Sequence, residues 1–174
     1  MSDIRYPVGK FSRPEAVTRE DLDGWINELD RLPENLRQAA QTLSEQQLDT
    51  PYRPAGWTVR QVVHHLADSH MNSYARFRLA LTEDEPIIKP YDEAAWANLG
   101  DAKAAPIASS LDLLSAMHSR WVLLLRSLSE EQWRRTFRHP ENGVVSLNTS
   151  AALYAWHSRH HVAHITELRR REGW

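Results

Sequence analysis

The sequence contains no cysteine among its 174 residues. This absence excludes disulfides, thiolate nucleophiles and thiolate metal ligands, and it is compatible with a reducing cytosol. Long apolar runs are also missing: none approaches the length that spans a membrane, and the first residues lack the apolar core of a signal peptide. We therefore expect a cytoplasmic protein that does not contact a membrane.

An excess of charge of either sign is absent as well. The formal net charge is -2, and charged residues make up 25% of the chain, which is ordinary for a globular protein. Electrostatics therefore gives no reason to expect a nucleic-acid partner. The one basic run, Arg169–Arg171, is typical of the carboxyl end of a helix. The length predicts a single domain over residues 1–174.

Strand signals are scarce, and apolar residues instead recur at helical spacing in four segments. These segments are 19–42, 58–82, 110–128 and 147–171. Pro33 is expected to bend or restart the first helix, a capping box of Thr58 and Gln61 begins the second, and Ser110 is a candidate cap of the third. The apolar stretch at 143–145 is too short to predict a sheet. The pattern predicts an all-α four-helix bundle.

Two segments outside these helices have expected positions. Residues 1–18 show little periodicity and predict an extended arm that packs on the domain. Residues 83–108 form a long crossover between the second and third helices, within which Asp92 begins a short helical turn. Connections of this length are often functional. Tyr91 and Trp96 are therefore candidate substrate contacts, although simple packing of the crossover on the bundle is the favoured interpretation.

A faint internal repeat relates the two halves of the chain. Ser44 with Gln47, and Ser129 with Gln132, form capping-box patterns at the ends of the first and third helical regions. Each is followed by a short segment with an aromatic residue and an arginine, and then by a histidine-bearing helix. Two helix pairs related by an approximate two-fold axis would bring the histidine helices face to face.

Seven of the nine histidines lie in two of the predicted helices. They are His64, His65 and His70 on the second helix, and His157, His160, His161 and His164 on the fourth. His157 and His161 are four residues apart and share a helix face, and His160 and His164 form a second pair at that spacing. One pair and a third imidazole from the facing helix would leave one position open on a tetrahedral ion. The spacing alone keeps both pairs as alternatives.

A single histidine is more simply interpreted as a surface residue or a hydrogen-bonded core residue. The clustering favours a metal, because several neutral imidazoles buried together would each need a partner. Other hydrolase and metal patterns are missing: no H-E-x-x-H zinc motif, no G-x-S-x-G elbow and no Glu-x-x-His pair on these helices. Asp68 and Glu167 are candidate groups for supporting the ligands or handling protons, or residues of a solvated helix face. His118 and His139 receive no role.

The segments 57–72 and 156–165 resemble the YfiT subgroup of the DinB-like superfamily, whose members are described as proposed metal-dependent hydrolases. Segments 6–11 and 90–96 match as well, so the resemblance covers nearly the whole chain from Tyr6 to Trp174. It implies a four-helix bundle, often dimeric, that holds one divalent metal with three histidines. Carried over to this sequence, they are His65, His157 and His161. Imidazole ligands suit zinc, which we expect, or nickel.

The resemblance implies metal-dependent hydrolysis of a small-molecule substrate as the first hypothesis. The family also contains S-transferases that join a low-molecular-weight thiol, of the bacillithiol or mycothiol type, to small electrophiles. A metal with an open position serves this alternative too, because it can deprotonate a thiol. A third hypothesis is a non-enzymatic metal-binding stress protein, which an open, exchangeable coordination position would argue against. A homodimer is the expected assembly.

Overall fold

A computed structural model describes residues 3–174 of the chain. Its elements, in chain order, are α1 (Arg19–Ala40), α2 (Glu45–Leu48), α3 (Val59–Thr82), α4 (Glu93–Ala97), α5 (Gly100–Ala104), α6 (Ile107–Ser127), α7 (Glu130–Trp133), β1 (Thr136–His139), β2 (Gly143–Ser146) and α8 (Leu147–Glu172). The four long helices α1, α3, α6 and α8 form the predicted four-helix bundle, and the long crossover joins α3 to α6 as predicted. None of the described helices is long and apolar enough to cross a membrane.

The packing of the four long helices places the two histidine helices side by side. Helix α1 packs against α6 and α8, and α3 packs against the same two helices. The apolar stripe of α1 shows why: Leu22, Ile26, Leu29, Leu32 and Leu36 follow the helical period and are all buried. Because α3 and α8 are neighbours, their histidine segments meet inside the bundle.

At three places the structure differs from the local expectations. Helix α1 continues through Pro33 without a restart, since Leu32 and Leu36 on either side of it are fully buried and hold both halves in the core. Helix α6 begins at Ile107 rather than behind a Ser110 cap; the Ser110 hydroxyl lies 2.7 Å from the His64 ring instead.

A small antiparallel hairpin is the third difference. Strand β1 pairs with β2, with Thr136 opposite Ser146 and His139 opposite Gly143. The strands contain four residues each, and Phe137 is their one buried side chain. So few buried positions give no readable alternation. Gly143, at φ +72°, occupies the left-handed conformation that the turn requires.

The crossover is fixed to the first two turns of α3 by three polar side chains. Arg60 donates to the Ala105 carbonyl over 3.0 Å, and a His64 ring nitrogen lies 3.1 Å from the same oxygen. Gln61 donates to the Ala97 carbonyl over 2.6 Å. These bonds satisfy backbone groups of the loop and hold it against the helix that carries His65.

The repeated capping-box pattern predicted from the sequence is present in the structure. Ser44 with Gln47 and Ser129 with Gln132 form complete capping boxes at α2 and α7, as do Thr58 and Gln61 at α3. Helix α2 leads into the histidine helix α3 through residues 49–58, and α7 leads into α8 through the β1–β2 hairpin. Those helices face each other, as the repeat predicts.

The amino-terminal arm packs on the outer side of α8. Within residues 3–18 the structure shows turns but no helix or strand. Trp156 donates its indole N–H to the Gly9 carbonyl over 3.1 Å, and the Phe11 ring centre lies 6.0 Å from that of Trp156. The extended arm packed on the domain is therefore confirmed for the described residues; positions 1 and 2 lie outside them.

Candidate metal centre

Three imidazoles from two helices converge between α3 and α8. One nitrogen each of His65, His157 and His161 lies within 4.8 Å of the other two. The Nε2 atoms of His65 and His157 are 3.2 Å apart. Two nitrogens bound to one tetrahedral zinc ion would be about 3.3 Å apart, from ordinary bond lengths. The structure thus brings together the three residues that the resemblance selected, at a spacing that fits one small cation.

Trp57 forms a wall beside this cluster. Its ring centre lies 4.6 Å from that of His65 and 6.4 Å from that of His161. The turn before it depends on Gly56, because a Cβ atom there would lie 2.6 Å from Cγ of Arg53. The Tyr52 N–H donates to the Trp57 carbonyl over 3.0 Å and closes the turn. The loop sequence therefore positions an indole against the imidazoles.

The electrostatic setting keeps these imidazoles neutral. Burial lowers the pKa of His65 to about 4, with a smaller contribution from His160 and His164. Burial first, and neighbouring imidazoles second, also place the pKa values of His157 and His161 well below the ordinary 6.5. Desolvation disfavours the charged form of a histidine. Neutral imidazole is the form that offers a lone pair to a metal.

The rival histidine pair has a different environment. His160 and His164, together with His161, form a second group whose nitrogens lie within 4.8 Å of one another. His164, however, uses Nε2 to donate to the Arg5 carbonyl over 3.2 Å. Its ring also stacks on Tyr52 with centres 4.0 Å apart, and the His160 ring stacks on Trp156 with centres 4.5 Å apart. The rival pair is thus packed between the arm and an aromatic layer.

A chain of imidazoles runs inward from His157. Its Nδ1 lies 3.2 Å from Nε2 of His70, and Nδ1 of His70 lies 3.1 Å from Nε2 of His118 on α6. Nδ1 of His118 ends the chain 2.7 Å from the Leu29 carbonyl on α1. Sequence reasoning missed this connection. The available signal was that His70 and His118 both lie on the apolar sides of their helices.

A cavity of about 400 Å³ opens on the three imidazoles. Its polar lining includes Arg76 from α3, Glu93 from α4, and two hydroxyl groups, those of Ser69 and Tyr154, which are 3.4 Å apart. Burial raises the pKa of Tyr154, so its hydroxyl stays protonated and able to donate. None of these four side chains was singled out from the sequence, because their meeting depends on how α3, α8 and the crossover pack together.

The remaining candidates do not line the cavity. Tyr91 and Trp96 pack against each other with ring centres 4.5 Å apart, and the Tyr91 hydroxyl approaches Ser69 and Tyr154 of the cavity wall. Asp68 is half-buried, and burial, followed by Asp101, raises its pKa to about 6; it does not line the cavity. Glu167 pairs with Arg170 over 2.8 Å on the surface.

Two histidines without a predicted ligand role also have defined positions. His64 is buried, and its ring bonds to Ser110 and the crossover on the side of α3 away from His65. His139, expected in a loop, is the last residue of β1 and lines the outer part of the cavity.

The family profile of the DinB superfamily matches residues 28–165 of the chain. The chain belongs to the DinB superfamily. Among its relatives, YfiT of Bacillus subtilis is 53% identical over 173 residues, covering 99% of this chain and 97% of YfiT. A protein of Bacillus cereus (strain B4264) is 55% identical over the full length of both chains. Both carry names that propose a metal-dependent hydrolase.

Solved structures agree with this membership of the DinB superfamily. The structure of YfiT, described as a proposed metal-dependent hydrolase with an unusual four-helix bundle topology, superposes with a TM-score of 0.96 over 98% of each chain. A second four-helix bundle protein, TT2238, is 18% identical, with a TM-score of 0.56 over 88% of this chain and 99% of that one. The second likeness supports the fold alone.

Proposed function

We propose that this DinB-superfamily protein is a metal-dependent hydrolase whose ion, Zn²⁺ in our proposal and Ni²⁺ as the alternative, is held by His65, His157 and His161. The observation that carries the proposal is the convergence of three neutral imidazole nitrogens within 4.8 Å at the floor of a cavity. The names of relatives sharing more than half of the sequence support the same reaction class. A divalent ion on three imidazoles leaves a coordination position open and lowers the pKa of water there.

The polar side chains of the cavity give the protein's own contribution to such a reaction. Arg76 supplies a positive charge for an anionic group of the substrate or for charge that develops during reaction. The Tyr154 hydroxyl, kept protonated by burial, is a hydrogen-bond donor. Glu93 is the one carboxylate of the lining. Burial raises the pKa of Glu93, and the nearby charge of Arg76 partly offsets the rise, which suits a proton acceptor.

The size and walls of the cavity favour a small, partly apolar substrate. Its volume of about 400 Å³ lies in the range of small-molecule sites. Trp57, Phe137 and Leu153 supply apolar surface, and the polar groups lie on the other walls. We place the reaction in the cytoplasm, in keeping with a chain that has no cysteine to oxidise. The homodimer implied by the family stays a prediction that light scattering can check.

The test combines elemental analysis with two assays. Purified protein should contain close to one zinc or nickel ion per chain, and a panel of esters and amides should be cleaved with metal and water alone. Turnover that strictly requires an added low-molecular-weight thiol, with no hydrolysis of the panel, would assign the S-transferase reaction instead. A Glu93→Gln variant should lose hydrolysis while it keeps its metal. Loss of neither would contradict the proposed proton acceptor.

A further inference from the structure

At the inner end of the imidazole chain, the direction of hydrogen-bond donation is fixed. A carbonyl oxygen can only accept a hydrogen bond, so His118 must carry its proton on Nδ1 to bond with the Leu29 carbonyl at 2.7 Å. His118 is 1% exposed, and burial lowers its pKa to about 4. A neutral imidazole protonated on Nδ1 has a bare Nε2, which can only accept.

The protonation site of each ring then fixes that of the next ring, from His118 toward the cavity. The bare Nε2 of His118 needs a donor, and Nδ1 of His70 at 3.1 Å is in position to be that donor. His70 is fully buried, at 0% exposure, so the neutral ring has its own Nε2 bare. That atom accepts from Nδ1 of His157 at 3.2 Å. The remaining nitrogen of His157, Nε2, is the one that faces His65.

We propose that His70 and His118 are positioning residues that fix the tautomer and ring orientation of His157, so that its Nε2 presents a lone pair to the metal. The final hydrogen-bond acceptor of this chain is the backbone carbonyl of Leu29 on α1, a helix that contributes none of the three proposed ligands. Ligating histidines commonly donate their other ring N–H to such a partner, and removal of the partner commonly weakens metal affinity about 10- to 100-fold. The inference rests on the metal site of the proposed function and is independent of the reaction class.

The other ligand histidines differ from His157 in this respect. Nδ1 of His161 is buried without a hydrogen-bond partner in the described structure, and the one polar contact found for the His65 ring is with His157. His157 is thus the ligand whose protonation site is specified from outside the site. A simple packing role for His70 and His118 would require no particular order of donors along the chain.

The first test measures metal affinity by competition with a chromophoric zinc chelator. His70→Leu and His118→Leu each remove an acceptor from the chain, and we expect affinity for Zn²⁺ to fall about 10- to 100-fold, although His118 is two rings away from the ion. His70→Gln should restore most of the affinity lost in His70→Leu, because an amide provides one acceptor for His157 and one donor for His118.

The matched control is His64→Leu. His64 is also a buried histidine whose ring has two polar contacts, and it is adjacent in sequence to the ligand His65. It is not part of the imidazole chain from His157 to His118. We expect a lower melting temperature for His64→Leu with zinc affinity within about twofold of the unsubstituted protein. An equal loss of affinity in His64→Leu and in the chain variants, or none in the chain variants, would overturn the proposal.

A second measurement leaves the three histidines of the imidazole chain unsubstituted. Two-bond ¹⁵N–¹H spectra of histidine-labelled, metal-free protein distinguish protonated from bare ring nitrogens. We expect His118, His70 and His157 all to be protonated on Nδ1, and the same pattern in His65→Ala, which should not bind metal. A His157 protonated on Nε2 would overturn the inference. A protein that has the expected tautomers but binds no zinc would instead contradict the metal site of the proposed function.

Discussion

Helix α8 carries two histidine pairs with the same spacing and different surroundings. His157 and His161 face α3, where they meet His65 beside a cavity. His160 and His164 pack toward the amino-terminal arm, where His164 bonds to the Arg5 carbonyl and stacks on Tyr52, while His160 also lines the cavity. A four-residue spacing therefore identifies a shared helix face but not what that face does.

The difference lies in which groups complete each pair. The inner pair gains a third imidazole from another helix, and the chain from His157 to Leu29 uses the nitrogen that the metal does not need. The outer pair gains its third nitrogen from His161, on the same helix, and His164 has committed Nε2 to a carbonyl. The comparison supports the proposed metal-binding role for the inner pair and a packing role for the outer pair.

Alanine substitution gives the largest expected contrast between the two sides. His65→Ala, His157→Ala and His161→Ala should each remove most of the bound metal, because two imidazoles hold a divalent ion far less tightly than three. His139→Ala and His160→Ala should retain it. Elemental analysis after gel filtration is the measurement. Metal loss in His160→Ala with retention in His157→Ala would reverse the assignment of the two pairs.

The sequence predicts the helical frame well, because each long helix has its own apolar period and two of the four, α1 and α3, begin with a capping box. Helix α3, with its capping box of Thr58 and Gln61, needs no distant information. The β1–β2 hairpin could not be predicted in this way, since Phe137 is its one buried side chain. Helix α1 does not restart at Pro33 because tertiary burial on both sides of it outweighs one missing hydrogen bond.

The candidate site also has some features that the sequence reveals and others that depend on tertiary packing. Spacing reveals the histidine pairs, but the choice between them came from the family resemblance, because the neighbours of α8 are tertiary features. His70 meets His118 across 48 residues of sequence, and no local pattern specifies that contact. Arg76 and Glu93 likewise meet at the cavity only because the crossover docks on the first turns of α3.

Acid should destabilise the metal-free protein through histidines on both sides of α8. Burial lowers the pKa of His65, His118, His160 and His164 to about 4, against 6.5 in the unfolded chain. Between these values the unfolded chain binds protons that the folded chain does not. Stability is therefore complete above pH 6.5 and is lost as the pH falls toward 4. All four shifts have the same direction, so their effects on the free energy of unfolding add in the same sense.

Thermal melts of chelated protein between pH 7.5 and 4.5 measure this dependence. We expect a progressive fall in melting temperature below pH 6.5, and a shallower fall in the double variant His160→Gln/His164→Gln, which removes the outer pair's share. A melting temperature constant down to pH 4.5 would contradict the assignment of these histidines as buried and neutral.

Removal of the metal at neutral pH should have an intermediate effect. A ligand that binds only the folded state at 1,000 times its dissociation constant adds about 4 kcal/mol, or about 10 °C for a domain of this size. The two apolar clusters of the bundle hold the helices without it. Circular dichroism should show a folded apo-protein with a lower melting temperature, restored by zinc. Loss of helical signal on chelation would show a structural site, and an unchanged melting curve would argue against any metal in the bundle.

The smallest expected effect is on the outer side of α8, and it sharpens the comparison. His164→Leu removes the donor to the Arg5 carbonyl and should lower the free energy of unfolding by about 1 kcal/mol, the usual net value of one hydrogen bond. His164→Gln keeps an N–H near that carbonyl and should lose less. Neither substitution touches His65 or His157, so zinc affinity should stay within about twofold of the unsubstituted protein in both. Chemical denaturation of the apo-protein and the chelator competition assay measure the two quantities separately. A tenfold loss of zinc affinity in both variants would mean that the outer pair contributes to the metal site, and the contrast between the two faces of α8 would then fail.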